Sequence, residues 1–215
     1  MRTLILLPGI NISSNTLSAL NIANSELTRS RNFDAYKEDI RRIFNLDPIT
    51  NITINHMFFL GGFIEGEGSI NVSIKKHDLS PFGILIDPEF SIAQHVNGVN
   101  LLYLALNVFG CGRIRYKSGS KATLLLVIDN RELLKNKIVP FYKEFVNVFG
   151  SEAKTQRVIS FEKLLHYIDT GSHRNLNTLV TEILPLWDSL RMQKGQRNQT
   201  FATLDDAISY VKAHK

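Results

Sequence analysis

A chain of 215 residues, 44% of them hydrophobic, is long enough for one substantial core or for one domain with appendages. Its 25 Lys and Arg outweigh 20 Asp and Glu for a formal charge of +5, which gives only a weak preference for an anionic partner such as nucleic acid. The single cysteine, Cys111, excludes an intramolecular disulfide, the scattered histidines lack the spacing of a structural zinc centre, and no apolar run is long enough to span a membrane.

Residues 1–54 read as an N-terminal helical extension or arm. Met1 to Leu7 makes a poor secretory signal and a poor transit peptide, so a protein of this kind acting in an organelle is expected to be made there. Thr16 to Ser30 predicts a weakly amphipathic helix. Phe33, Tyr36, Ile40, Ile43 and Phe44 recur at three to four residues and predict a second, capped by Asn32 or Asp34 and ended at Asp47-Pro48.

Residues 55–170 read as the core. A helix is predicted from His56 to Gly66, capped by Asn55. Met57, Phe58, Phe59, Leu60, Phe63 and Ile64 make it apolar almost all round, so it is expected to be buried on every face. Ser69 to Lys76 then alternates, with Ile70, Val72 and Ile74 on one side and Asn71, Ser73 and Lys75 on the other. Ser80-Pro81 marks a turn, and Ile84 to Gln94 predicts a second strand. Leu101 to Phe109 predicts a helix closed by Gly110. Arg113 to Lys117 and Ala122 to Ile128 predict a hairpin around Ser118-Gly119-Ser120. Asp129 or Asn130 caps a helix to about Lys137. Further helices are expected at Val139 to Phe149, with Pro140 near its first turn, and at Lys154 to Tyr167.

Residues 171–215 read as C-terminal helices packed on the core, over Leu176 to Met192 and Leu204 to Ala213, with a polar loop at Gln196 to Gln199. The order predicts an α+β fold in which an antiparallel sheet packs on helices.

Leu60-Gly61-Gly62-Phe63-Ile64-Glu65-Gly66-Glu67-Gly68 carries the chemistry. Gly62 and Gly66 lie one helical turn apart and permit close approach of another backbone. A carboxylate at Glu67, at the end of a buried helix, is poor for stability unless it binds something. The pattern of apolar, small and acidic positions, followed by an alternating strand, resembles the LAGLIDADG motif of homing endonucleases. The segments Asp87-Pro-Glu-Phe90, Gln94-His-Val-Asn-Gly98, Gly112-Arg-Ile-Arg115 and Lys117-Ser-Gly-Ser120 resemble the subgroup encoded in group I introns of chloroplast large-subunit ribosomal RNA genes.

The resemblance implies a saddle-shaped antiparallel sheet in an αββαββα core, paired as a homodimer through Leu60, Gly62, Phe63 and Gly66. Glu67 is then the metal-binding catalytic carboxylate, assisted by the Gly66 carbonyl, and magnesium suits so oxygen-rich a site. Glu stands where the name motif has Asp, and Glu65 helps to pack or cap the helix end. Gln94 is expected to order solvent in the catalytic pocket and Lys154 to stabilise charge, with Arg157 as the alternative and His95 as a possible phosphate contact.

One motif per chain supplies one acid, so cutting both strands needs a homodimer and a pseudo-palindromic target. The DNA-binding residues are expected to be Asn71, Ser73, Lys75, Lys76, Arg113, Arg115, Lys117, Lys121 and Thr123. The expected partners are double-stranded DNA and a second copy, with no membrane and no small-molecule cofactor. The compartment implied is an organelle, the chloroplast above all. An RNA maturase and a catalytically silent DNA-binding protein on the same fold are the alternatives.

Overall fold

The computed structural model describes residues 11–191 and 200–214. Met1 to Leu7, Gln196 to Gln199 and Met192 lie outside those residues. Two helices, α1 (Ser14–Ser30) and α2 (Phe33–Ile43), precede the motif helix α3 (Ile54–Glu67). Strands β1 (Gly68–Lys76) and β2 (Ile84–His95), helix α4 (Val99–Phe109), and strands β3 (Arg113–Tyr116) and β4 (Thr123–Ile128) follow. A helical run, α5, covers 131–146. Then come α6 (Glu152–Asp169), a second run, α7, over 176–190, and α8 (Leu204–Ala213).

The four strands form one sheet in the order β1-β2-β4-β3. β3 and β4 are antiparallel, with Arg113 opposite Val127 and Arg115 opposite Leu125. This is the expected α+β architecture.

The chain divides into two compact units that interleave along the sequence. One comprises residues 1–69, 91–128 and 143–149; the other comprises 70–90, 129–142 and 150–215. β2 passes from the second into the first.

Local chemistry sets the ends of the elements. Asn32 caps α2, its side chain accepting the Ala35 N–H at 3.0 Å. The helix stops at Ile43, before Asp47-Pro48. Asn45 there adopts a left-handed φ of 48°. The Leu46 N–H donates to Arg41 O at 2.9 Å and the Asn45 N–H to Arg42 O at 3.2 Å, so the carbonyls at the helix end are satisfied by the backbone turning back on itself. Thr53, not Asn55, begins α3: its N–H donates to His56 Nδ1 at 3.1 Å.

Pro140 does not start a helix. α5 runs through it, and Pro185 lies within α7 in the same way. In each run a wide π-helical turn precedes the proline, Leu134–Ile138 in one and Leu179–Ile183 in the other. Such a turn shifts the backbone pairing where proline has no N–H to give.

The N-terminal extension protects the sheet's edge. β3 is an edge strand, whose free backbone groups are a liability. The Ile114 N–H donates to Tyr36 Oη at 2.7 Å, Asn24 Nδ2 donates to Ile114 O at 2.9 Å, and Tyr36 Oη donates to Asn24 Oδ1 at 3.0 Å. One residue from each helix thus closes both backbone groups of Ile114. Burial pushes the Tyr36 phenol well above its ordinary value, so it stays neutral and able to donate.

Candidate active site and DNA-facing strands

α3 has a closed face and an open one. Leu60, Gly61 and Ile64 are buried within the chain. A Cβ on Gly61 would lie 2.2 Å from Phe145 O, so only glycine lets the backbone at Phe145 cross here. The Phe58 and Phe145 rings meet edge to face at 5.3 Å. Phe59 remains 57% exposed, Gly62 and Gly66 are exposed, and a Cβ on either would meet nothing within 4 Å. The expectation of a helix buried all round fails for the single chain, because one face has no cover among the described residues. Leu60, expected at the dimer interface, is 0% exposed; Phe59 takes its place on the open face, beside Gly62, Phe63 and Gly66.

Glu67 is the last residue of α3 and is exposed, not buried. Desolvation is therefore not what strains it in one chain. The helix dipole is. Glu65 and Glu67 both lie in the final turn, that turn has no basic residue, and the dipole there is already negative. The arrangement favours a cation. Gly68 then takes an extended conformation (φ −77°, ψ 136°) and starts β1 directly, so Glu67 sits at the junction of helix and sheet.

Gln94, in the same compact unit as Glu67, is the penultimate residue of β2. Its Oε1 accepts the His95 N–H at 2.7 Å. Its stem lies against Gly98, where a Cβ would come within 2.8 Å of Gln94 Cδ. His95 Nδ1 accepts the Asn97 N–H at 3.2 Å, which leaves Nε2 to carry the proton.

Lys154 belongs to the other unit, in the first turn of α6. Its N–H donates to the capping Ser151 Oγ at 3.4 Å, and its side chain is half-buried. Arg157 has a different task. Its Nε and Nη2 donate to Ile70 O at 3.0 and 2.9 Å, and Nη2 also donates to Leu190 O. Burial lowers its pKa from the usual guanidinium value. The guanidinium fixes the start of β1 and is spent on carbonyls.

β1 alternates as expected: Ile70, Val72 and Ile74 are buried, Ser73 and Lys75 are exposed, and Asn71 is half-buried. Lys76 falls on the parity of the buried residues, with Nζ 4.8 Å from the Tyr210 ring centroid and 5.7 Å from that of Phe201. It is therefore held by aromatic faces rather than standing beside Lys75. On the turn side, Gly83 lies against Tyr210 of α8 and His214 just beyond its end. The C-terminal helix thus braces the tip of the β1–β2 hairpin, as Arg157 braces its base.

In the β3–β4 pair, Arg113 and Arg115 are half-buried and Lys117 and Lys121 exposed. Leu125 and Val127 of β4 share the arginines' face through the register, so the cations of that face come from β3. Thr123 is tied into the turn, its Oγ1 accepting from Ser120 Oγ at 2.7 Å.

The tasks of Gly61, Gly98 and Tyr36 have no mark in the sequence. Gly61 and Tyr36 answer to the distant Phe145 and Ile114, and Gly98 to the Gln94 side chain four residues earlier.

The family model described as LAGLIDADG endonuclease matches residues 60–168. The chain belongs to the LAGLIDADG endonuclease family. It is 45% identical to DNA endonuclease I-CeuI of Chlamydomonas moewusii over 215 residues, which is all of this chain and 98% of that protein. The solved structure of group I intron-encoded homing endonuclease I-CeuI complexed with DNA superposes with a TM-score of 0.91, covering 96% of this chain and all of that one. The archaeal intron-encoded homing endonuclease I-Vdi141I, also complexed with DNA, matches at 27% identity and a TM-score of 0.64, over 73% of this chain and 94% of its own. A LAGLIDADG protein this similar along its whole length to a homing endonuclease is a DNA endonuclease of that class.

Proposed function

We propose that the chain acts as a homodimer that makes a staggered, metal-dependent double-strand break in a long pseudo-palindromic DNA site where an intron inserts. The observation that carries this reading is the open face of α3. Phe59, Gly62 and Gly66 are exposed, and the face ends in an exposed carboxylate at Glu67. An apolar helix face with room for a second backbone fits a second copy of the same helix, and two-fold symmetry then sets two Glu67 side chains at the axis.

The donor set fits a hard divalent cation such as Mg²⁺: the Glu67 carboxylate, with the Gly66 carbonyl beside it, in a helix turn that favours positive charge. Among the described residues no three His, Cys, Asp or Glu side chains cluster as a metal site, so the remaining ligands fall to water and DNA phosphate. A cation bound there supplies Lewis-acid charge neutralisation and a more acidic water. The chain's own residues do the rest. Gln94, its carbonyl oxygen engaged by the His95 N–H, offers its amide N–H groups to order solvent, and Lys154 supplies positive charge for the developing phosphorane. Base readout falls to Asn71, Ser73 and Lys75 on β1 and to Arg113, Arg115, Lys117, Lys121 and Thr123 in the β3–β4 hairpin. The resemblance to chloroplast intron proteins supports expression in that organelle.

The test is cleavage of intronless ribosomal RNA gene DNA with Mg²⁺ and with a chelator. Glu67→Gln should abolish cutting while the protein remains folded and bound to its site. Undiminished cutting by that variant would remove Glu67 from the mechanism. Metal-independent binding to intron RNA without DNA cleavage would favour the maturase reading.

A further inference from the structure

The open face of the β1–β2 hairpin carries a group that binding by charge alone would avoid. Asp87 stands there, on the strand beside Lys75, and the Lys75 ammonium donates to its carboxylate. Both stay open to solvent, with side chains 57% (Lys75) and 36% (Asp87) exposed. An exposed pair of this kind adds roughly 0–1 kcal/mol to stability. A carboxylate brought up to DNA is repelled by the phosphates. Neither stability nor affinity accounts for Asp87.

The edges of base pairs do. In the major groove every Watson–Crick pair presents one keto oxygen and one exocyclic amino group side by side. These are O6 of guanine with N4 of cytosine, or O4 of thymine with N6 of adenine. The two lie within hydrogen-bond distance of one another, about 2.9 Å. An ammonium only donates and a carboxylate only accepts. A lysine and an aspartate in contact therefore match keto-beside-amino in one orientation. In the reverse orientation, acceptor faces acceptor and donor faces donor.

We infer that Lys75 and Asp87 act together as a reader of base-pair orientation. At one base pair of each half-site they accept G·C and T·A alike and reject C·G and A·T. The inference rests on the reading that this strand face lies on DNA. It adds Asp87 to the specificity-determining residues and gives Lys75 a defined task within base readout.

The experiment is cleavage profiling of a target library in which every base pair is varied singly, using the full-length dimer. One position per half-site should show a two-and-two pattern. G·C and T·A should be cut at similar rates, and C·G and A·T roughly tenfold or more slowly. Asp87→Asn, whose amide both donates and accepts, should shrink that ratio to about twofold at this position alone. An Asp87→Asn profile identical to wild type overturns the inference. So does a uniform gain on all sequences, since the carboxylate would then act only against phosphate. Target affinity of the variant carrying Asn71→Ala, Ser73→Ala and Lys75→Ala separates the two layers. Unchanged affinity defeats the DNA-facing placement itself. Lost affinity with an unaltered Asp87→Asn profile defeats only the orientation reader.

Discussion

The two faces of α3 use glycine for opposite purposes. On the closed face Gly61 is pressed against the chain's own backbone, with a Cβ position 2.2 Å from Phe145 O. On the open face a Cβ on Gly62 or Gly66 would meet nothing within 4 Å among the described residues. The closed face spends its glycine on folding one subunit, and the open face keeps its own for another. Neighbouring residues of identical type therefore answer to different free energies, one of folding and one of association.

Substitutions can pull these apart. Gly61→Ala has the largest expected effect. Its methyl meets backbone, which cannot swing aside, so the loss should be about 3 kcal/mol or more, seen as a large fall in the midpoint of chemical unfolding. A midpoint within the error of wild type would show that the crossing at Phe145 is loose.

Gly62→Leu should do the reverse. Within one chain the side chain has space, and replacing a helical glycine gains up to about 1 kcal/mol of propensity. The product should be a folded monomer by sedimentation that no longer cuts both strands. If it remained a dimer, the second copy would not be seated on this face.

Tyr36→Phe tests whether the N-terminal extension belongs to the subunit's stability rather than to the dimer. It removes the acceptor for the Ile114 N–H, a buried backbone group. The expected loss is about 1–3 kcal/mol in a denaturant titration, with the monomer–dimer equilibrium unchanged. A variant as stable as wild type would mean that water replaces the phenol.

Gly98→Ala is the mildest for folding, since Gly98 has an ordinary φ of −104° and only the Gln94 side chain must move. Stability should change by less than about 1 kcal/mol. Single-turnover cleavage should slow roughly tenfold if Gln94 orders solvent, because a displaced amide loses its alignment. Unchanged cleavage would take Gln94 out of the pocket.

Much of this was legible before any coordinates. The alternation of Ile70, Val72 and Ile74 with Asn71, Ser73 and Lys75 reports a half-buried strand, and the structure buries the first set. A cap at Asp129 or Asn130 and the bounds of α8 followed from local rules, and the structure uses Asn130. Other features were not legible. Lys76 adjoins Lys75 in sequence, yet it rests on the Tyr210 ring of a helix more than a hundred residues later. Arg157 looked like a catalytic alternative because its position in the helix was all that could be read. Its carbonyl partners at Ile70 and Leu190 come from segments far along the chain.

The sequence by itself determined most of the elements and the family, and named Glu67 as the candidate acid, because helix periodicity, strand alternation and the motif are local patterns. Only the tertiary structure decided which face of α3 is closed, that Glu67 is exposed, that Lys76 lies over the rings of Tyr210 and Phe201, and that Asp87 stands beside Lys75. Those facts depend on which distant backbone or ring arrives at a given residue, and packing, unlike period, is not written in neighbouring letters.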